Sequence, residues 1–175
     1  MLTPILITVA VVVVLFVIVL SLKSNDFQVS RSVKVTAPVA KAFEQVNDLH
    51  RMNVWNPWLN LDPAIKQTYD GAESGVGAIY SWDGNKNVGA GRQTIVETKP
   101  SEFVRLKLEF FRPFKGTNEV IFTIVPEGNQ TVVTWSMTGQ LNIVTKIMGL
   151  FCSMDKMCGS SFEKGLADMK KIVEA

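Results

Sequence analysis

The sequence predicts an α+β domain in which a curved antiparallel sheet packs against a long C-terminal helix, preceded by one transmembrane helix. Three observations predict this class. The first 22 residues carry no charged side chain. From about Lys66 to Thr138, apolar residues alternate with polar ones, as in strands that bury one face. After that the apolar residues recur at every third or fourth position, as in an amphipathic helix.

The N-terminal segment has the composition of a membrane anchor. Val, Ile and Leu dominate from Ile5 to Leu22. A helix of about 20 apolar residues is long enough to cross about 30 Å of hydrocarbon. A cleaved secretory signal is one alternative, but such signals begin with basic residues and have a shorter apolar stretch. A buried core helix is the other. We expect residues 1–24 to form an uncleaved, single-pass anchor and its flank.

Two features indicate the side of the membrane. The side-chain positive charges near the segment all follow it, at Lys23, Arg31 and Lys34, and such charge tends to stay on the cytoplasmic side. Cys152 and Cys158 are on a predicted helix, where a separation of six residues is about 9 Å along the axis, beyond the roughly 7 Å that a disulfide allows. Free thiols suit a reducing compartment. We expect a cytoplasmic domain.

Residues 25–175 have the size of one domain with one core. The formal net charge is +2, and the two signs are mixed along the chain, which provides no electrostatic attraction for nucleic acid. With one histidine and no Cys-x-x-Cys pair, the chain has no pattern typical of a zinc site. We therefore expect neither a metal nor a cofactor.

The domain begins with a strand and two short helical segments. Residues 27–35 alternate between apolar and polar, with Arg31 interrupting the apolar face. A helix is expected over residues 38–48, because proline is tolerated in a first helical turn. Residues 55–63 follow as a short helical or irregular piece, in which Pro57 prevents anything long.

The rest of the chain is expected to form a meander of five strands and one long helix. The strands are separated by turn residues, expected at Asp70-Gly71, Asp83-Gly84-Asn85, Lys99-Pro100 and Gly128-Asn129. The helix runs from about Val144 to Ile172 and is weakened or bent by its glycines, of which Gly165 also allows close approach to the sheet. Because a sheet with one apolar face needs a cover, this helix is expected to lie across it.

Several segments together carry a family resemblance. They are Arg31–Pro38 followed by Phe43, Trp55–Trp58 followed by Asp62-Pro63, Trp82–Gly84, and Phe162–Leu166. With the order of elements, they resemble the helix-grip fold of the START-like superfamily, also called SRPBCC, and within it the polyketide cyclase/dehydrase family. Members with an N-terminal membrane helix are similar to this chain throughout. The resemblance implies a deep cavity between the sheet and the last helix that receives a hydrophobic small molecule, without implying one shared reaction.

Large side chains are the candidates for lining such a cavity, because aromatic rings supply contact area and often a polar tip. The predicted ligand-binding residues are Arg31, Trp55, Trp58, Tyr80, Trp82, Phe110, Phe122, Trp135, Met137, Phe151 and Met154. Filling the core is the alternative role for the aromatic and methionine side chains. A buried guanidinium at Arg31 must be paired and could hold a ligand oxygen; a structural salt bridge or a location at an edge of the sheet is the alternative. No catalytic residue is predicted.

The sequence therefore predicts a membrane-anchored domain that binds a hydrophobic or amphipathic small molecule, lipid-like or polyketide-like, between the sheet and the C-terminal helix. A polyketide cyclase or dehydrase is one alternative, and it requires polar groups that converge inside the cavity. A protein-interaction module similar to co-chaperone members of the superfamily is the other, with a filled core and an exposed apolar patch. The expected partners are the small molecule or lipid and the bilayer, without nucleic acid, and no protein partner is identified.

Overall fold

The computed structural model describes residues 2–22, 24–141, 143–149 and 153–175. Helix α1 (Leu2–Leu22) comes first, and its apolar side chains with a described exposure lie open to the surroundings. None of the helices in the described part of the chain combines the length and the apolarity that crossing a bilayer demands.

The described residues include seven antiparallel strands in one sheet, ordered β1-β7-β6-β5-β4-β3-β2. The strands are β1 (Asp26–Val35), β2 (Lys66–Gly71), β3 (Ala78–Asp83), β4 (Ala90–Lys99), β5 (Phe103–Arg112), β6 (Gly116–Glu127) and β7 (Gln130–Gln140). Strands that follow one another in sequence from β2 onward are neighbours, so this part is the predicted meander, and β1 closes it by pairing with β7. The four predicted turns are confirmed, with Gly71 and Gly128 in the left-handed region at φ of 78° and 59°.

The strand count is a correction to the sequence analysis. Five strands were expected after the short helices, and the structure has six. The turn between β5 and β6, at residues 113–115, Pro-Phe-Lys, was not among the four predicted turns. This turn has a proline, which is typical of turns, but no glycine, asparagine or aspartate beside it within residues 113–115.

Three short helices connect β1 to β2 in the described residues, where two were predicted. They are α2 (Val39–Asn47), α3 (Leu49–Val54) and a 3₁₀ helix (Pro57–Leu61), and the additional one is α3. Asp48 lies between α2 and α3. Its carboxylate accepts the backbone N–H of His50 at 2.8 Å and so caps the start of α3. The Asn56 side chain accepts the N–H of Trp58 in the same way, so α3 and the 3₁₀ helix each begin at a capping side chain.

The predicted C-terminal helix is interrupted. Helix α4 (Ile143–Met148) and helix α5 (Met154–Glu174) are separate, and the hydroxyl of Ser153 accepts the N–H of Lys156 at 3.3 Å to begin α5. A serine at this position satisfies the free N–H groups of a new helix, so the apolar spacing continues across the interruption while the backbone starts again. Phe151 and Cys152 lie outside the described residues.

Helix α5 covers the concave face of the sheet, and the predicted α+β class is confirmed. Its side chains Phe162, Leu166, Met169 and Val173 are buried against the strands. At Gly165, a β-carbon would lie 3.1 Å from the Trp135 ring, so the predicted close approach is also confirmed. The core is continuous from the end of β1 to the middle of the sheet.

Candidate functional site

A cavity lies between the concave face of the sheet and the N-terminal half of α5. Its volume is about 130 Å³. Its lining residues come from the 3₁₀ helix and its flanks, five strands, the β3–β4 loop and α5: Asn56, Trp58, Leu59, Ile65, Tyr80, Trp82, Val88, Gln93, Leu108, Phe110, Val120, Trp135, Met137, Cys158 and Phe162. Pockets for drug-sized ligands measure about 300–1,000 Å³, whereas a cavity of about 150 Å³ admits benzene. The pocket therefore has room for one ring or a short chain.

Strand register brings the sheet residues of the pocket into two rows. Gln93 on β4 lies opposite Tyr80 on β3 and Leu108 on β5. In the next row, Trp82 and Phe110 flank Gly91 in the same way. Since side chains two apart on a strand share a face, both rows point toward α5. They occupy the end of the sheet at which β1 begins, and we call this the pocket end.

Two groups of rings form the walls of the pocket. On the β7 side, Trp135 stacks on Phe162 of α5 with a centroid separation of 4.0 Å, and Trp58 meets Trp135 edge-on at 5.7 Å. On the β3 side, Tyr80 stacks on Trp82 at 5.8 Å. Edge and offset-stacked contacts are the favourable arrangements of aromatic rings, so both walls are held by specific geometry.

Polar atoms without partners lie in this apolar lining. Within the described residues, the Tyr80 hydroxyl, Gln93 Oε1 and Trp135 Nε1 are buried and make no hydrogen bond. Burial, with a smaller contribution from the neighbouring Tyr69, raises the pKa of Tyr80, so its hydroxyl stays protonated and can donate. Burial and then the negative charge of Asp155 raise the pKa of the Cys158 thiol. The pocket therefore presents neutral hydrogen-bonding groups at neutral pH.

The structure brings six of the eleven predicted ligand-binding residues into the lining. They are Trp58, Tyr80, Trp82, Phe110, Trp135 and Met137. Trp55 and Phe122 instead pack behind the pocket wall, 6.0 Å apart and edge-on, where neighbouring side chains cover them. Met154, at the first turn of α5, packs on the core without lining the pocket. Phe151 lies outside the described residues.

Arg31 lies on the concave face but is not part of the lining. Its guanidinium donates to both Asp155 carboxylate oxygens, at 2.7 and 3.0 Å, and to Glu163 at 2.6 Å. These bonds raise the pKa of Arg31 and lower the pKa of Asp155. A β-carbon at Gly159 would overlap the guanidinium, so this glycine lets Arg31 lie against α5. Of the two expected partners, the structure shows the carboxylates of a salt bridge, and a bond from Arg31 to a ligand oxygen stays a prediction.

Sequence reasoning missed the two polar lining residues that matter most after Tyr80. Gln93 falls between Gly91 and Ile95 on the inward face of β4, so a polar residue at an apolar position was its signal. Cys158 was considered only as a thiol that could form a disulfide, and it is free and half-buried. A lone glutamine or cysteine carries no spacing pattern, which is why neither stood out.

No charged or metal-binding constellation supplements the pocket in the part of the chain that the structure describes. No group of three or more His, Cys, Asp and Glu side chains is placed to hold a metal ion there. His50 stacks on Tyr69 at 3.8 Å, outside the lining, and its neighbour Asp48 is used as a helix cap.

Solved structures with this fold include proteins of several kinds. A protein of Chromobacterium violaceum is similar over 86% of this chain and 98% of its own, with 14% identity and a TM-score of 0.60. The Aha1 dimer from Colwellia psychrerythraea is similar over 85% and 96%, with 17% identity and a TM-score of 0.59. The di-domain ARO/CYC protein BexL from the BE-7585A biosynthetic pathway is similar over 91% of this chain and 53% of its own, with 14% identity and a TM-score of 0.62. At these identities the likeness shows the fold alone.

Sequence similarity gives the family. No protein with a curated description is similar to this chain at a significant level. Residues 26–174, from the first residue of β1 to the last of α5, match one family over its sheet, short helices and covering helix. The chain belongs to the polyketide cyclase / dehydrase and lipid transport family.

Proposed function

We propose that this domain binds a hydrophobic small molecule in the pocket between the sheet and α5. The observation that carries the proposal is the cavity of about 130 Å³ in a core whose other end is closely packed. Native cores contain few voids larger than a water molecule, so a ring-sized cavity needs an explanation. Its mainly apolar lining, with a few neutral polar groups, is typical of ligand sites.

The size of the pocket limits how much of a ligand it encloses. Burying one ring or a short chain contributes about 1.5–3 kcal/mol, whereas a dissociation constant of 1 mM already corresponds to about 4.1 kcal/mol. The cavity alone therefore supports only weak binding. We expect the ligand to place one end in the cavity and to gain further contact at the rim, where Val88 and Trp82 are half-buried.

Binding is better supported than catalysis. The described lining residues contain no histidine, carboxylate or amine, and burial raises the pKa values of the Tyr80 hydroxyl and the Cys158 thiol, so neither of these two groups exchanges its proton readily at neutral pH. A cyclase or dehydrase would need such groups around a substrate. The interaction-module alternative predicts a filled core, and the cavity is the observation against it. The indole N–H of Trp135 is the donor we expect to orient the ligand in place of Arg31.

We also propose that α1 tethers the domain to a membrane, with the domain in the cytoplasm. The support is the uncharged sequence of residues 1–22 and the basic residues that follow it. Only three residues separate α1 from β1, and β1 begins at the pocket end. Phe111 and Phe114, beside the β5–β6 turn at the same end, are exposed. A tethered domain would then turn its pocket toward the bilayer, where an apolar ligand is concentrated.

Alkaline carbonate extraction tests the tether. The full-length protein is expected to stay with the membrane fraction, and a variant without residues 2–22 is expected to leave it. Release of the intact protein by carbonate would contradict the tether and leave the pocket proposal standing, because the cavity residues all lie beyond residue 55.

Native mass spectrometry after gentle detergent extraction tests the pocket. We expect a reproducible added mass on the full-length protein. In the variant Cys158→Phe, a ring is introduced from α5 into the pocket and the added mass should be lost. Met157→Phe is the matched control, since Met157 is the adjacent helix residue, is 47% exposed and does not line the pocket. Bare protein under every condition, or equal loss in both variants, would contradict the proposal.

A further inference from the structure

We infer that the pocket recognises a hydroxyl group on a neutral ligand, which bridges the Tyr80 hydroxyl and Gln93 Oε1. This inference rests on the proposed binding function and specifies the ligand class. The observation is a pair of unpartnered polar atoms of opposite requirement, a donor and an acceptor, in one apolar pocket. An unpaired buried polar group costs about 1–3 kcal/mol, so two in one place indicate that a group outside the chain completes them.

The two residues are placed to meet one ligand atom. Tyr80 on β3 and Gln93 on β4 are directly opposite each other in the antiparallel register. Directly opposite side chains begin about 4.5–5.5 Å apart at their β-carbons and share one face. Both line the cavity, and Tyr80 is only 2% exposed. Neither polar atom bonds to the other or to any described residue.

The chemistry of the pair selects a hydroxyl. The Tyr80 hydroxyl can donate or accept and Gln93 Oε1 only accepts, so one ligand group that accepts from Tyr80 and donates to Gln93 uses the hydrogen of the Tyr80 hydroxyl and satisfies both atoms. A ketone or ester oxygen would leave Gln93 Oε1 unpaired. A carboxylate would face that oxygen with no cation among the described lining residues, and a charge buried in this way is strongly disfavoured. An alcohol or phenol satisfies both atoms and stays neutral.

Tyr69 provides the contrast that makes the inference testable. Its ring lies 5.1 Å from the ring of Tyr80, but its hydroxyl accepts the side-chain N–H of Asn53 at 2.9 Å. It does not line the pocket. Removing the Tyr69 hydroxyl therefore removes an internal hydrogen bond, and removing the Tyr80 hydroxyl removes only the atom that would meet the ligand.

The probes are benzene and phenol, which match the cavity in size and differ by one hydroxyl. The full-length protein in detergent is dialysed against a reservoir of each compound, so the free concentration is the same whatever enters the micelles. Binding is followed by the NMR signal of the ¹³C-labelled methyl group of Met137, which lines the pocket. Phenol is expected to bind at least threefold more tightly than benzene. In Tyr80→Phe and in Gln93→Met, phenol binding should weaken about tenfold while benzene binding is kept.

The outcomes separate this inference from the proposed function. The Tyr69→Phe variant should keep the preference for phenol. Equal binding of benzene and phenol, or a preference that survives in both Tyr80→Phe and Gln93→Met, would overturn the hydroxyl inference while benzene binding upholds the pocket. Equal binding of benzene and phenol is the result expected if a water molecule, and not a ligand hydroxyl, bridges the two atoms. Binding of neither compound would overturn the pocket and the inference with it.

Discussion

The two ends of the concave face share one sheet and one covering helix, yet only one of them is closed. At the end where β1 finishes, Leu166, Met169 and Val173 of α5 are fully buried against aliphatic strand residues. At the pocket end, the same helix faces rings, a cavity of about 130 Å³ and three unpartnered polar atoms. The strands are antiparallel at both ends of the sheet, so the side chains and the covering elements decide which end is closed.

The cover differs because α2 contributes only to the closed end. It contacts β5, β6 and β7, and its Ala42 and Val46 are completely buried. The pocket end is covered by the first turns of α5 and by the 3₁₀ helix, which are too short to fill the space between them. Aliphatic side chains fill the closed end, whereas at the pocket end rings held by edge and stacking contacts surround the cavity. The pocket end therefore stays open because aromatic residues line it and, of the described elements, only the 3₁₀ helix and the first turns of α5 cover it.

The largest expected loss of stability comes from replacing Trp135, the residue that contacts side chains of both ends. Trp135 contacts Trp55, Trp58, Phe122 and Phe162, so Trp135→Ala should destabilise the domain by about 3–5 kcal/mol. Trp82→Ala, at the half-buried rim of the pocket, should lower the free energy of unfolding by clearly less than Trp135→Ala does. Denaturant unfolding followed by far-ultraviolet circular dichroism measures both. Equal losses would contradict the looser packing expected at the rim of the pocket.

A matched pair of leucines compares the ends with the same deletion. Leu166 at the closed end is 1% exposed, and Leu108 borders the pocket at 7%. Leu166→Ala creates a new cavity and should cost about 2–5 kcal/mol, whereas Leu108→Ala enlarges an existing one and should fall at or below the lower limit of that range. The same unfolding measurement applies. A greater loss for Leu108→Ala would contradict the comparison.

The closed end was also the easier part to predict from sequence. Its residues follow period two on strands and a spacing of three or four on the helix, because burial against a flat face imposes those periods. The β5–β6 turn and the break before α5 were missed, because Pro113 and Ser153 act through local hydrogen bonding and backbone angles that leave the apolar pattern unchanged.

The pocket was predicted less completely for a different reason. Aromatic residues mark both pocket walls and core, so Trp55 and Trp58 look alike in the sequence although only Trp58 lines the cavity. Which face is left uncovered depends on where α2 and the 3₁₀ helix end, a tertiary property. Gln93 became meaningful only when the register placed it opposite Tyr80.

Thiol chemistry sharpens the description of the open end. Cys158 lines the pocket, and burial followed by the charge of Asp155 raises the pKa of its thiol. Because the thiolate is the reactive form, iodoacetamide at pH 8 should alkylate Cys158 at least tenfold more slowly than a free cysteine peptide. The chain has a second cysteine, Cys152, so the alkylation rate of Cys158 is the rate that disappears in the variant Cys158→Ser. Alkylation as fast as in the peptide would contradict the half-buried position of this thiol.

The smallest expected effect is the contribution to stability of the ion pair that holds the first turns of α5 to the sheet. Arg31 on β1 bonds to Asp155 and lowers the pKa of that carboxyl from its usual 3.8. The folded state therefore binds this proton less readily than the unfolded state, so the stabilisation is present above about pH 3.8 and is lost as the pH falls through the lower folded value. Asp155 is exposed and Arg31 is half-buried, so solvent screens the pair and its effect on the free energy of unfolding is small.

A double-mutant comparison isolates this interaction from the other carboxylates that titrate in the same range. The difference in unfolding free energy between the wild type and Arg31→Met should shrink as the pH is lowered from about 5 to well below 3.8, through the lowered pKa of Asp155 in the folded state. In an Asp155→Asn background the same difference should lose the part of its pH dependence that Asp155 supplies, because the amide cannot titrate. A wild-type difference that stays constant over this range would show that Arg31 holds α5 by packing over Gly159 and not through its charge. The open end of the helix would then be fixed in the same way as the closed end, by shape.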